Sequence, residues 1–221
     1  MKTNIARLHF ITSPSEKHNI LSQIQQVVMG GGNWIQLRMK EEAEKEVEKT
    51  AVQALSFCMD NGAKLIINDR VELAARIGAD GVHLGKEDMA PTEAREILGP
   101  QAVIGGTANT FEDIKRLVSQ GVDYVGLGPF RFTGTKKKLS PVLGIEGYEQ
   151  IIQQCEQNNI HIPIIAIGGL TPEDFNELFD AGIYGVALSS YINQQDQPGA
   201  STLELLKTIG KLSSSNWRRK H

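Results

Sequence analysis

The stretch that decides the fold is GAKLIINDRVELAARIGADGVHLGKED, residues 62–88. It begins with Gly62 before an apolar run at 64–68, and Gly78 precedes a second apolar run at 81–84. Glycine commonly ends a helix because it adopts the left-handed backbone conformation without strain. Apolar runs without polar alternation are typical of parallel strands that are covered on both sides. The stretch therefore predicts a strand, a helix and a second, parallel strand.

The same unit recurs outward from this stretch toward both ends of the chain. Gly121 and Gly182 precede later apolar runs, as Gly62 and Gly78 do here, which indicates a repeated unit. Eight strands are predicted, at residues 8–12, 34–38, 64–68, 81–84, 102–105, 124–127, 162–167 and 185–188.

Eight such units can form an open doubly wound sheet or a closed (β/α)8 barrel. An open sheet binds its ligand mainly at one switch point, whereas a barrel gathers all its strand ends around one mouth. Polar or glycine-rich residues follow the strands here, which favours the barrel. We predict an α/β fold with a single (β/α)8 TIM barrel domain over residues 1–221, including a polar C-terminal tail at about 213–221.

The composition excludes several classes of protein. Lys and Arg total 23 against 26 Asp and Glu, a net charge of −3, which argues against a nucleic-acid partner. No apolar stretch approaches the roughly 20 residues of a membrane span, and the N-terminus lacks a signal-peptide region. Cys58 and Cys155 lack metal-ligand spacing and are interpreted as reduced thiols. We expect a cytoplasmic protein without membrane contact, and a homo-oligomer stays open.

The residues after the second, third and fourth strands suit phosphate and metal binding. Alternation along a strand points Gln36, Arg38 and Lys40 the same way, and two cations suit a phosphate or diphosphate. The alternative is that both cations are solvated and pair with nearby glutamates. Asp69 and Asp88 follow the next strands, and one or two carboxylates usually hold Mg²⁺. Asp69 could instead cap the following helix.

The other strand ends carry hydroxyls, glycines and one long loop. Barrels commonly bind a phosphate through the loops after strands seven and eight. These residues are Thr107, Thr133, Thr135, Lys136, Gly168, Gly169, Ser189 and Ser190. His83 could act as a base, but a histidine at a strand end is more often structural. Two anion sites, one with a metal, indicate an enzyme that joins a diphosphate substrate to a phosphate substrate.

The motifs, taken in order, resemble the thiamine-phosphate synthase family from about residue 8 to residue 192. They are Gln36-Leu37-Arg38-Met39-Lys40, Asn68-Asp69, His83-Leu84-Gly85-Lys86-Glu87-Asp88, Gly128-Pro129, Thr133-Gly134-Thr135-Lys136, Gly168-Gly169 and Ser190. The resemblance implies transfer of the 4-amino-2-methylpyrimidin-5-ylmethyl group from its diphosphate to 4-methyl-5-(2-phosphoethyl)thiazole. The products are thiamine phosphate and diphosphate.

The resemblance also implies roles for individual residues, with Asp69 and Asp88 binding Mg²⁺ and Gln36 orienting the pyrimidine. The diphosphate contacts are Arg38, Lys40, Asn68 and Lys136. The thiazole phosphate contacts are Thr133, Thr135, Gly168, Gly169, Ser189 and Ser190. The residues closest to the chemistry are Arg38, Lys40, Lys136 and Thr107.

The chain departs from the family pattern at three places. Thr107 stands where the family often has serine and keeps the hydroxyl, Lys138 stands near a common acidic position, and Asn109 stands where histidine is frequent. Related thiazole tautomerases use that histidine for proton transfer, which an asparagine amide cannot perform near neutral pH. A tautomerase-like enzyme and a catalytically silent, thiazole-phosphate-binding regulatory barrel are the alternatives.

Overall fold

The computed structural model describes residues 4–132 and 141–216, with side chains as far as Leu212. Eight parallel strands close into one barrel in sequence order, and the last strand pairs with the first. The strands are β1 Leu8–Ile11, β2 Trp34–Leu37, β3 Lys64–Asn68, β4 Gly81–Leu84, β5 Val103–Ala108, β6 Tyr124–Leu127, β7 Ile164–Ile167 and β8 Gly185–Leu188. The predicted (β/α)8 barrel is confirmed.

Helices follow the strands and cover the outside of the barrel. They are α1 Ile20–Met29, α2 Glu44–Asp60, α3 Val71–Ile77, α4 Pro91–Leu98, α5 Phe111–Ser119, α6 Gly144–Gln157, α7 Phe175–Asp180, α8 Ser190–Asn193 and α9 Pro198–Asn216, with a 3₁₀ turn at Pro172–Asp174. Within the described ranges, every helix is too short or too polar to cross a membrane.

Several predicted boundaries differ from the structure: β1 and β2 each end one residue earlier than predicted, and β7 begins two residues later. The tail was expected to begin at about residue 213, but α9 continues to Asn216, since neither proline nor glycine follows Gly210 to stop it. The fifth strand was predicted to end at Gly105, yet β5 extends to Ala108 because its partner β6 pairs with it that far. The longer β5 places Thr107 inside the sheet.

The apolar core has two layers. A large cluster packs between the outer faces of the strands and the helices, and it includes Ile35, Leu65 and Val82. A smaller cluster fills the barrel interior, with Trp34 and Tyr124 as its largest members. Adjacent residues of one strand, such as Trp34 and Ile35, belong to different layers because side chains alternate across a sheet.

One titratable side chain is buried among the aromatic rings of the interior. The ring of His9 stacks on Trp34, with 4.7 Å between centroids, and meets the edge of Tyr124 at 5.0 Å. Its Nε2 atom bonds the carbonyl of Ala6 at 2.9 Å. Burial, with a contribution from the nearby His83, lowers the pKa of His9 to about 3. The fold therefore requires the neutral imidazole.

This burial predicts a pH-dependent loss of stability. Because the folded pKa lies below the ordinary value of 6.5, the unfolded chain takes up the proton first. The contribution of neutral His9 to the free energy of unfolding is therefore fully present above pH 6.5, and it decreases as the pH is lowered from there. Replacing His9 with Phe keeps a ring on Trp34 but removes the titration.

Urea unfolding of the wild type and His9→Phe at pH 7 and pH 5 tests this prediction. The free energy of unfolding of the wild type, relative to the variant, should fall by about 2 kcal/mol between the two pH values. Parallel pH profiles for the two proteins would contradict the assignment of this effect to His9.

Candidate active site

The second and third strands bring an amide pair to the carboxyl end of the barrel. Gln36 is only 4% exposed, and its Nε2 donates a hydrogen bond to Asn68 Oδ1 at 2.8 Å. Just beyond, the backbone N–H of Arg38 donates to Thr12 Oγ1 at 2.8 Å, which fixes the start of the loop after β2. The predicted neighbours Gln36 and Asn68 are therefore in direct contact.

Asp69 has an unusual backbone, with φ of 65° in the left-handed region. Its N–H donates to the carbonyl of His83 at 2.9 Å, so β4 holds it in place. It does not cap the helix that follows, because the N-cap position of α3 is Arg70 and no side chain caps that helix. Non-glycine residues in this conformation are concentrated at functional sites. The alternative that Asp69 is only a helix cap is wrong.

Lys40 pairs with Asp69 rather than with the glutamates beside it in sequence. The distance from Lys40 Nζ to Asp69 Oδ2 is 2.7 Å, and the lysine side chain is about half exposed. One predicted cation thus lies against one predicted metal ligand, across the ends of two neighbouring strands.

The Asp88 carboxyl lies close enough to the Asp69 carboxyl to raise its pKa. Its Oδ2 accepts a hydrogen bond from the N–H of Gly85 at 2.6 Å, which fixes it in the loop after β4. Burial and the neighbouring Asp88 together raise the pKa of Asp69, and Lys40 opposes that rise. Two carboxylates this close together are therefore stabilised in their charged form when a cation lies beside them.

The donor set fits Mg²⁺ better than a metal that is held entirely by side chains. Within the described parts of the chain, no group of three or more His, Cys, Asp or Glu residues could hold a metal. Mg²⁺ is usually bound through one or two carboxylates, with water and phosphate oxygens as its remaining ligands. Asp69 and Asp88 can supply that part of the shell.

A polar chain connects the barrel interior to the site, and sequence reasoning did not find it. Nδ1 of His83 lies 3.0 Å from the Tyr124 hydroxyl, and Nε2 lies 3.0 Å from the Thr107 hydroxyl. Gly105 makes room for this chain, since an added Cβ would lie 2.2 Å from the Tyr124 ring. The sequence placed His83 at a strand end, but only the sheet register brings it between these two hydroxyls.

The loops after β7 and β8 form a second polar region. Gly168 and Gly169 both have positive φ, 101° and 70°. The Ser189 hydroxyl oxygen is buried and bonds no residue of the described chain. A cavity of about 300 Å³ opens beside Ser190 and is also lined by residues 13–17 of the loop after β1. Of the residues predicted here, Ser190 borders this cavity. Thr133, Thr135 and Lys136 lie outside the described residues.

Two polar regions at the mouth of one barrel define the class of protein, an enzyme that acts on phosphorylated small molecules. The family model described as thiamine monophosphate synthase matches residues 8–192, and the chain belongs to this family.

Relatives support this membership over nearly the whole chain. Thiamine-phosphate synthase from Phocaeicola vulgatus is 49% identical over 206 residues, which cover 93% of this chain and 99% of the relative. The protein of the same name from Bacteroides fragilis is 49% identical over 199 residues, 90% of this chain and 98% of that one. The solved thiamine phosphate pyrophosphorylase from Pyrococcus furiosus has a TM-score of 0.82 at 28% identity, covering 93% and 96% of the two chains.

The glycine turn after β7 generates a prediction about stability. A Cβ at Gly168 would lie 2.7 Å from Pro129 Cβ, whereas at Gly121, with φ of 75°, nothing lies within 4 Å. Gly121→Ala should therefore cost only about 1 to 2 kcal/mol of backbone strain. Gly168→Ala should cost about 1 to 3 kcal/mol more because Pro129 must move. Urea unfolding of both variants measures the difference, and equal costs would refute the close contact.

Proposed function

We propose that the chain joins 4-amino-2-methylpyrimidin-5-ylmethyl diphosphate to 4-methyl-5-(2-phosphoethyl)thiazole, giving thiamine phosphate and diphosphate. The observation that carries the proposal is the cluster of Lys40, Asp69 and Asp88 at adjoining strand ends. In this reaction the bond from the pyrimidinylmethyl carbon to the diphosphate oxygen breaks, and its electron pair leaves with the diphosphate. The thiazole nitrogen then supplies the pair for the new carbon–nitrogen bond.

The diphosphate half of the site has to neutralise a leaving group. Asp69 and Asp88 would hold Mg²⁺, which when bound acts as a Lewis acid on the diphosphate oxygens. Arg38 and Lys40 would bind the same group. Lys40 now donates to Asp69, so it can exchange this partner for the diphosphate when the substrate and metal enter. Electrostatic stabilisation of this kind is commonly the largest contribution to catalysis.

The organic groups would be oriented by neutral side chains. Gln36 is held by Asn68 and would face the pyrimidine, while Asn68 also contacts the diphosphate. Thr107 is held by His83, and its hydroxyl would lie near the reacting carbon. Such alignment of nucleophile and carbon lowers the entropy cost of the transfer.

The thiazole phosphate would bind on the opposite arc of the mouth. Backbone amides of the glycine turn and the buried hydroxyl of Ser189 are suitable donors. By family resemblance, Thr133 and Thr135 contribute from the loop after β6, whereas Lys136 of the same loop would contact the diphosphate. The residues proposed for the phosphate in the described chain are Gly168, Gly169, Ser189 and Ser190.

A tautomerase role is disfavoured by the position of Asn109. Its side-chain amide donates to the carbonyl of Gly128, and its backbone N–H bonds Asp113 Oδ2 at 3.0 Å. The residue therefore joins the ends of β5 and β6, and it offers no acid or base for proton transfer. A cytoplasmic location remains a prediction of the sequence, which leaves the oligomeric state open.

The activity itself is the first prediction. Purified protein, both substrates and Mg²⁺ should give thiamine phosphate, detected as fluorescent thiochrome phosphate after oxidation. Omitting either substrate, or chelating the metal with EDTA, should abolish the signal. Folded protein that binds the thiazole phosphate but forms no product would favour the silent regulatory barrel instead.

The carboxylate pair gives a second prediction. Asp69→Asn keeps the size of the side chain and tolerates the left-handed backbone, but it removes the charge that binds the metal. We expect kcat/KM to fall roughly 100-fold or more, since charge stabilisation by a metal contributes several kcal/mol.

The matched control for this experiment is Asp80→Asn. Asp80 pairs with Lys64 at 3.0 Å and accepts from the N–H of Leu65, at the opposite end of β3 from Asp69. The control should lower the melting temperature and leave kcat/KM near the wild-type value at permissive temperature. An Asp69→Asn protein with wild-type kcat/KM at low Mg²⁺ would refute the proposed metal site.

A further inference from the structure

The segment that follows β6 is tied to the glycine turn after β7 by Arg131. The Arg131 side chain is about half exposed and forms a two-pronged ion pair with Asp174, in which Nη1 meets Oδ2 at 2.6 Å and Nη2 meets Oδ1. The same Nη1 also donates to the carbonyl of Gly169 at 3.1 Å. None of these contacts was expected from the sequence.

Three consecutive carbonyls of the turn accept hydrogen bonds from this segment. Ile167 O accepts from the N–H of Phe130 and Gly168 O from the N–H of Arg131, both at 2.9 Å. Gly169 O accepts from the Arg131 guanidinium. The first two bonds use backbone donors, and only the third depends on a particular side chain.

These bonds determine where the amides of the turn point. In a planar trans peptide the N–H is directed opposite to the carbonyl of the same unit. Because the three carbonyls face the segment after β6, the N–H groups of Gly168, Gly169 and Leu170 are directed away from it. A row of amides with a common direction is a good acceptor site for a phosphate.

Asp174 holds the guanidinium in place from a buried position. Its side chain is 4% exposed, and its Oδ2 also accepts from the backbone N–H of Thr171 at 2.8 Å. Burial alone would raise the pKa of Asp174, but the hydrogen bonds from Arg131 and Thr171 outweigh it and lower the pKa. The carboxylate is thus a charged, fixed anchor at the start of the 3₁₀ turn.

We propose that Arg131 is a positioning residue for the thiazole phosphate: held by Asp174, it fixes the Gly169 peptide so that the amides of the turn point at the phosphate. Arg131 acts through the backbone of the turn and does not need to touch the substrate. The inference rests on the proposed function and adds a residue to it. It also explains why the ion pair lies at the catalytic end of the barrel.

Steady-state kinetics of Arg131→Ala tests the proposal. With the Gly169 carbonyl released, KM for the thiazole phosphate should rise about 10-fold. The KM for the pyrimidine diphosphate and the kcat at saturating thiazole phosphate should stay within about twofold of wild type, because those steps use the other arc of the mouth. Arg131→Lys, which can keep one contact but not the fork, should give an intermediate KM.

A matched control comes from a second Arg–Asp pair at the other end of the barrel. Arg95 Nη2 lies 2.7 Å from Asp123 Oδ2, and that oxygen also accepts from the N–H of Ile104 near the start of β5. Arg95→Ala removes a comparable ion pair far from the proposed phosphate. It should lower the melting temperature without changing KM for the thiazole phosphate.

The outcomes of these experiments distinguish the role of Arg131 from the proposed function on which it rests. An active wild type whose KM for the thiazole phosphate is unchanged in Arg131→Ala would overturn the role of Arg131 alone. A wild type that makes no thiamine phosphate would overturn the proposed function, and the role of Arg131 with it. If Arg131→Ala does not fold, Arg131→Lys and Asp174→Asn provide the same comparison, and wild-type KM in both would overturn the role.

Discussion

Two carboxylates at the ends of neighbouring strands cannot both remain charged at short range unless positive charge lies against them. Asp69 and Asp88 are in this position because β3 and β4 are adjacent in a closed barrel. Lys40 from β2 supplies part of the charge, and its partial exposure leaves it able to change partners. This constraint accounts for the rest of the proposed diphosphate half. A divalent cation that carries an anionic substrate would balance the charge of the two carboxylates more fully than one ammonium group does.

The polar chain through the barrel shows how the site is joined to the core. The Thr107 hydroxyl is bound by His83, which is bound by the deeply buried Tyr124. Tyr124 in turn packs against His9, whose pKa depends on the same burial. A buried polar chain of this kind is stable only where its members are hydrogen-bonded. The position of a hydroxyl at the mouth is therefore determined by aromatic packing several ångströms below it.

Sequence reasoning predicted the architecture and the chemistry of individual residues better than the contacts between distant ones. The repeated glycines and apolar runs were sufficient for eight strands, and Asp69 and Asp88 were identifiable because the first directly follows β3 and the second lies in the short loop after β4. The bond between Arg131 and Asp174 was not predictable, because 43 residues separate them and no local pattern relates them. The end of β5 was misplaced for a similar reason, since the pairing with β6 that extends it through Thr107 is a tertiary property.

The two proposed anion sites would bind by different physical means, and this difference bears on which substrate would bind where. The proposed diphosphate arc would supply positive charge, from Lys40 and from the Mg²⁺ that Asp69 and Asp88 would hold, which suits a group whose negative charge grows as it departs. The glycine turn would bind through backbone amides, of which the Leu170 N–H is directed by the bond from Arg131 to the Gly169 carbonyl, and amides can bind a constant phosphate charge without a mobile cation. A phosphate that stays attached to the product can be bound by fixed, neutral hydrogen-bond donors. A leaving diphosphate gains negative charge, which cations must stabilise. The separation of the two kinds of donor on opposite arcs of one barrel would thus match a reaction in which a diphosphate leaves and the phosphate of the thiazole stays on the product.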